Sequence, residues 1–266
     1  MISPLASIHP NAVLGTNVTV DPFAVIQDNV VVGDGSHIMS HSVLMPFSRV
    51  GKNCRIFPGA VIGAIPQDLK FIGEETTAEI GDGSTIREHV TVNRGTVDKW
   101  KTVIGKNCLL MAYAHVAHDC LIGNNVILAN AVQLAGHVEI GDYAIIGGLA
   151  GAHQFTRIGA HTYIAGHTVI RKDVPPYVKA AREPMSYMGL NIVGLQRRNF
   201  SAEQIKTISE IYHILFIQNR STSTAVKLIS DKITSGELKD EILQFIESSK
   251  NGIIKRHSKN DIADED

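Results

Sequence analysis

Residues 104–146 read IGKNCLLMAYAHVAHDCLIGNNVILANAVQLAGHVEIGDYAII. An aliphatic side chain returns at every sixth position: Ile104, Leu110, Val116, Ile122, Leu128, Leu134, Ile140 and Ile146. The same phase runs back to Ile8 and on to Ile170. It puts Ile, Leu or Val at 24 of 28 steps, and their 71 occurrences in 266 residues give about seven by chance. The exceptions are Asp68, Glu74, Asp98 and Ala152.

Six is neither a helical nor a simple strand period; it fits a two- or three-residue strand followed by a tight turn. Glycine often follows the aliphatic, as at Gly33, Gly105 and Gly123, and Asp or Asn commonly comes next, as in Gly33-Asp34-Gly35 and Gly123-Asn124-Asn125. These residues are expected to supply the positive φ that a sharp corner needs. The fifth position is small or β-branched and should point inward. Cys54, Cys108 and Cys120 all fall there and read as small core residues. An odd cysteine count argues against a disulfide framework, and the spacing is not that of a zinc site. The pattern is that of a parallel β-helix, in which three hexads close a triangular coil of 18 residues.

Lys and Arg number 25 against 26 Asp and Glu, which gives no general reason to expect nucleic acid. No run of about eighteen apolar residues occurs, so no integral membrane segment is expected. The N-terminal MISPLASIHPNAV lacks a basic region before an apolar run, which makes the cytoplasm the expected address. The repeat is broken at 64–78 and 93–101, read as loops that leave the prism and build a cleft. It ends after Pro175-Pro176. Ser201 with Gln204 has the form of a capping box, opening a helix with Ile205, Ile208 and Ile211 on one face. Amphipathic segments follow near 222–234 and 237–249, then a charged tail from Asn251, expected to fray. The division is a β-helix over 1–190 and a helical domain over 191–266.

Twelve histidines are present, so position must discriminate among them. Steps of 18 from His118 reach Gly136, beside His137, and then Gln154, beside His153. Stacked coils rise about 4.8 Å each, which brings these residues onto one strip, with His115 and Asp119 near the same corner. An imidazole held by a carboxylate can act as general base on a hydroxyl, and a backbone N–H beside glycine can receive an oxyanion. The alternative is a ladder of solvated corner residues. No nucleophile elbow, Walker loop or dinucleotide fingerprint accompanies the cluster.

Seven segments together resemble the UDP-N-acetylglucosamine 3-O-acyltransferases of lipid A biosynthesis. They are Gln67-Asp-Leu-Lys70, Asn93-Arg-Gly-Thr96, Ala114-His-Val-Ala-His-Asp119, Leu134-Ala-Gly-His137, His153-Gln-Phe155, Asp173-Val-Pro-Pro-Tyr177 and Asn191-Ile-Val-Gly-Leu-Gln-Arg-Arg198. The resemblance implies a left-handed β-helix and a homotrimer with active sites between neighbouring prisms. The donor it implies is an (R)-3-hydroxyacyl chain on the phosphopantetheine of acyl carrier protein, with no further cofactor and no metal. The acceptor is the glucosamine 3-hydroxyl of UDP-N-acetylglucosamine. By match, His118 is the general base, Asp119 orients it and Gly136 supplies the oxyanion N–H. Also by match, Asp68, Lys70, His115, His137, His153, Gln154, Asn191, Arg197 and Arg198 contact the sugar nucleotide. Without the resemblance, Arg197-Arg198 reads as a solvated pair. Gly166 matches the family's acyl-chain ruler, and an open glycine there implies a chain of about fourteen carbons or more, each buried CH₂ adding about 0.8 kcal/mol.

Other readings set beside this one are the N-acyltransferase of the same pathway, an acyltransferase acting on the 3-amino analogue, a CoA-dependent acetyltransferase and a non-catalytic scaffold. A metal hydratase of the γ-carbonic-anhydrase type, with His115, His118 and His137 as ligands, is a further one. An acidic carrier protein requires a basic patch; Arg157, Arg171, Lys172, Lys179 and Arg182 are the candidates, against a reading as ordinary solubilising charge.

Overall fold

The computed structural model describes residues 1–218 and 221–256. Among them the hexads form three parallel sheets that are the faces of a prism. One face runs from Ser7–Ile8 to Val169–Ile170, a second from Val13–Leu14 to Arg157–Ile158, and a third from Thr19–Val20 onward. Successive coils pair in register at steps of eighteen, as Val116 with Leu134 and Leu134 with Ala152. The sixth-position aliphatics fill the interior, with Ile38, Leu44, Ile86, Leu110, Leu128 and Leu134 all fully buried. Each contributes roughly 1.5–3 kcal/mol by leaving water. The expected left-handed β-helix is the fold, and the three cysteines are free and buried within it.

The corners differ in part from the sequence expectation. Left-handed φ falls on the third residue after most aliphatics and not on the glycine immediately following: Gly35 and Asn125 supply it as expected, but so do His41, Tyr113, Asp119, His137 and His161, all with φ near 60°. The glycines directly after the aliphatic answer a different need. A Cβ on Gly105 would lie 2.4 Å from Gly123 O in the next coil. The bulky corner residues stack between coils, His137 on Phe155 at 4.4 Å and Tyr143 on His161 at 4.9 Å. Such stacking, about 0.5–1.5 kcal/mol a pair, offsets a left-handed backbone costing about 1–2 kcal/mol.

Both interruptions lie at one corner, between the first and second faces. The first loop spans 65–76, between strands Val61–Ala64 and Thr77–Ile80; the second spans 94–100, between Thr91–Asn93 and Lys101–Ile104. Register jumps there by thirty residues, Ile62 to Val92, then by twenty-four, Val92 to Val116.

Beyond the prism come helices α1 (Ile192–Arg197), α2 (Ala202–His213), α3 (Thr222–Lys232) and α4 (Glu237–Glu247). The Ser201–Gln204 capping box is formed in both directions. Tyr212, fully buried on α2, donates to Pro176 O at 2.7 Å and so ties the helices to the end of the prism. The tail does not fray from Asn251 onward. Ile254 is buried, and Lys255–Arg256 pair with Ser186–Tyr187. The remainder of the expected frayed tail, 257–266, lies outside the described residues. No helix is long and apolar enough to cross a membrane.

Candidate active site

His118 and Asp119 occupy the corner immediately after the two loops, where the repeat forces Asp119 into left-handed backbone with φ 60°. The His118 ring is buried, and its Nδ1 lies 2.8 Å from Asp119 Oδ2. The second loop completes the carboxylate's shell. Thr96 N donates to Oδ1 at 2.9 Å, Thr96 Oγ1 to Oδ2 at 2.6 Å and Lys99 N to Oδ1 at 3.2 Å. Behind it, Asp119 N donates to Thr102 Oγ1 at 2.8 Å. Burial pushes the Asp119 carboxyl up, but the hydrogen bonds from His118, Thr96 and Lys99 outweigh it and hold the group at about 2. Asp119 is therefore an anion that fixes one imidazole tautomer and leaves Nε2 free to accept a proton.

The Nε2 edge faces Gly136. A Cβ on that glycine would lie 2.7 Å from His118 Nε2 and 2.6 Å from Cε1, so only glycine leaves the edge open. The neighbours Ala135 N and His137 N donate to Ala152 O and His118 O, whereas Gly136 N has no partner among the described residues. A free N–H thus sits beside a free imidazole nitrogen.

A groove of about 400 Å³ runs from this corner across the first face and brings together His115, His118, Gly136, His153 and Gln154, joined by Gln67, Gln133 and Val169. His115 Nδ1 is engaged with Thr91 Oγ1 at 2.7 Å, and burial, with His118 beside it, lowers its pKa.

Other predicted residues lie elsewhere in this chain. His137 stacks on Phe155 and meets His118 edge-on at 5.1 Å, but its ring borders a separate cavity with Asp98, Lys99 and Arg157 on the far side of the corner. Asp68 and Lys70 stand on the first loop, where Asp68 Oδ1 accepts from Lys70 N; Gln67 is the loop residue in the groove. Asn191 is buried as the cap of α1, accepting from Gly194 N and donating to His161 O at 2.9 Å. Arg198 donates to Tyr143 O at 2.9 Å, and Arg197 is exposed beside it. These three gather at the Tyr143–His161 corner, between the second and third faces. Gly166 lies at the corner between the third and first faces, three residues before Val169; a Cβ there would lie 2.8 Å from Gly148 O.

The possible metal ligands also differ from the expected trio. The ligand atoms of His118, Asp119 and His137, not His115, lie within 4.8 Å of one another. Since His118 Nδ1 and both Asp119 oxygens are already hydrogen-bonded, an ion there would have to break the dyad. Among the basic candidates, Arg157 is turned inward, over the Phe245 ring at 4.6 Å and onto Ser248 Oγ at 2.9 Å. Arg171 pairs with Glu183, and Lys172 donates to Asn251 O; Lys179 and Arg182 are exposed.

Thr96, Lys99 and Thr102 were not read as site residues from the sequence. Thr96 falls within a quoted motif, and Thr102 sits at a fifth, inward position that reads as core.

With this geometry in hand, comparison with known proteins is decisive. Residues 173–254 match the family described as UDP-N-acetylglucosamine O-acyltransferase, domain 2, and 11–46, 29–64 and 101–136 match bacterial transferase hexapeptide repeats. A Thermodesulfovibrio yellowstonii protein is 43% identical over 256 residues, covering 96% of this chain and 99% of its own length; it is named acyl-[acyl-carrier-protein]–UDP-N-acetylglucosamine O-acyltransferase. The chain belongs to that acyltransferase family. The solved UDP-N-acetylglucosamine acyltransferase of Bacteroides fragilis superposes with a TM-score of 0.94 at 50% identity, covering 96% of this chain and all of its own. That of Francisella novicida has a TM-score of 0.94 at 36% identity, covering 99% of this chain and 96% of its own. The family membership does not favour the hydratase and scaffold readings.

Proposed function

We infer that this chain transfers an (R)-3-hydroxyacyl group from acyl carrier protein to the glucosamine 3-hydroxyl of UDP-N-acetylglucosamine, the first step of lipid A biosynthesis. The observation that carries the mechanism is the His118–Asp119 pair, with its Nε2 edge open toward Gly136 at the head of a groove.

His118 Nε2 takes the proton as the sugar oxygen attacks the thioester carbonyl. Asp119 stabilises the imidazolium and keeps its Nδ1–H directed inward. The Gly136 N–H donates to the tetrahedral oxyanion. Collapse breaks the carbon–sulfur bond, and His118 returns its proton to the departing phosphopantetheine thiolate. The ester and the free thiol leave with His118 neutral again, so no metal or redox partner enters the balance.

Asp68, Lys70, His115, His137, His153 and Gln154 are assigned to the sugar nucleotide, and Gly166 to the far limit of the acyl chain. Asn191, Arg197 and Arg198 suit a diphosphate, yet in one chain they lie at a different corner from His118. For both groups to serve one site, a second copy must bring its Arg197-Arg198 segment to the groove of the first. This supports an assembly with shared sites, taken as the homotrimer that the resemblance implies, with Lys179 and Arg182 left as the basic residues to meet the carrier protein.

The test is a mass-spectrometric transfer assay with UDP-N-acetylglucosamine and 3-hydroxyacyl carrier proteins of several lengths. Wild type should give acylated sugar nucleotide and His118→Ala almost none. Equal product from both would remove His118 from the mechanism. No product from either would overturn the acceptor assignment.

A further inference from the structure

Arg94 is 7% exposed, yet among the described residues no hydrogen bond or ion pair reaches its guanidinium. Its Nε–H is buried without a hydrogen bond. Glu74 and Glu75 of the first loop act on it only through space, and burial lowers its pKa. What it does touch is aromatic. The Cζ atom lies 5.1 Å from the Phe47 ring centroid and 5.2 Å from that of Phe71. Phe47 belongs to the prism corner; Phe71 lies in the middle of the first loop. A cation whose Nε–H is buried without a partner costs stability, so fold stability alone does not account for it.

The surrounding contacts show what it holds. Arg94 N donates to Ala64 O at 2.9 Å, and Asn93 Nδ2 to Ile65 O at 3.1 Å, so the second loop fixes the start of the first. Thr76 Oγ1 donates to Gly95 O at 2.5 Å, which fixes its end. Between those ties the loop folds on itself: Phe71 N donates to Asp68 O, and the Glu74 carboxylate accepts from Ile72 N and Gly73 N. Between start and end, the side-chain contact that joins it to the second loop is Phe71 against Arg94, with Glu74 and Glu75 acting on the same guanidinium through space. The next residue but one, Thr96, holds Asp119.

We propose that Arg94 is the positioning residue for the first loop, its guanidinium stacked with Phe47 and Phe71 so that Gln67 and its neighbours are held against the groove. This rests on the reading of the groove as the sugar-nucleotide site. The segment Asn93–Thr96 then does two separable jobs, Arg94 placing the binding loop and Thr96 orienting the catalytic dyad. Lysine cannot replace Arg94 in this role, because its ammonium is not a planar group that fits between rings.

The experiment compares Arg94→Gln, Arg94→Lys and Phe71→Leu with wild type in two measurements. Hydrogen exchange of residues 65–76 on free protein should be faster in all three, with the prism strands unchanged. Steady-state kinetics should show KM for UDP-N-acetylglucosamine raised about ten-fold, with kcat and the pH profile of kcat little changed. Thr96→Val should give the opposite split. Wild-type exchange in the loop, a fall in kcat at constant KM, or full rescue by lysine each overturns the proposal. Phe71→Leu leaves the buried charge in place, and so decides the matter if the arginine variants do not fold. If wild type transfers no acyl group, the functional reading fails while the exchange measurement still tests the role of Arg94.

Discussion

Asp34 and Asp119 make a useful pair. Both sit at corners of the same prism, and both carboxyls are drawn down to about 2. Asp34 is solvent-exposed, and its partners are Lys52 first, then Thr16 of the preceding coil. Those bonds run between regular coils and form part of a chain of locks: Lys52 N onto Asp82, Lys106 N onto Asn124 and Asn124 N onto Asp142. Asp119 is buried, and three of its bonds come from a loop that the repeat does not contain. Where the period is kept, a carboxylate staples coils. Where the period is broken, the same chemistry is turned on a histidine.

The largest test of that contrast is His118→Ala, which should lower kcat about 10²- to 10⁴-fold, the usual worth of a general base, with the melting temperature nearly unchanged. Asp119→Asn should follow closely, because an amide cannot fix the same tautomer; comparing kcat with circular dichroism separates lost chemistry from lost fold. Gly136→Ala should come next, about ten- to a hundred-fold in kcat, since its Cβ would displace the imidazole. An alanine variant as active as wild type would sink the reading that only glycine leaves the imidazole edge open. At the small end, Asp34→Ala should leave kcat and KM as they are and lower only thermal stability.

Acid gives a further test of the buried member of the pair. Asp119 has a folded pKa near 2, below the ordinary value of 3.8. It therefore contributes stability that is fully present above about pH 4 and is lost as pH falls toward 2. Melting curves from pH 5 to 2.5 should lose part of their acid slope in Asp119→Asn. An unchanged slope would mean that the carboxylate is not held as an anion.

The fold was legible because its signal is local. Each hexad places its own aliphatic, so the phase survives reading one coil at a time. The Ser201–Gln204 cap was legible for the same reason. The corner geometry was legible in part: Gly35 and Asn125 do take positive φ, but Gly33, Gly105 and Gly123 answer to close approach between coils, and only coordinates distinguish the two demands. At the site, His118, Gly136 and Gln154 were reachable by counting in eighteens. Thr96 was not, since its bond to Asp119 crosses a coil lengthened by one hexad. The place of Phe71 against Arg94 was out of reach as well, because nothing local in either segment announces the other.

The register jumps have a further meaning. Thirty exceeds eighteen by two hexads, and twenty-four exceeds it by one. At these two excursions the chain leaves the prism by whole multiples of its own unit and re-enters in phase; only in the last coil, where Ile164 pairs with Ala180, does the step fall to sixteen. Excise twelve residues from the first excursion and six from the second, and an unbroken lattice of identical coils remains. Scaffold and catalyst are thus separable by length: from Ile8 to Ile170 the first is a count that keeps its phase, and the second is housed in the remainder.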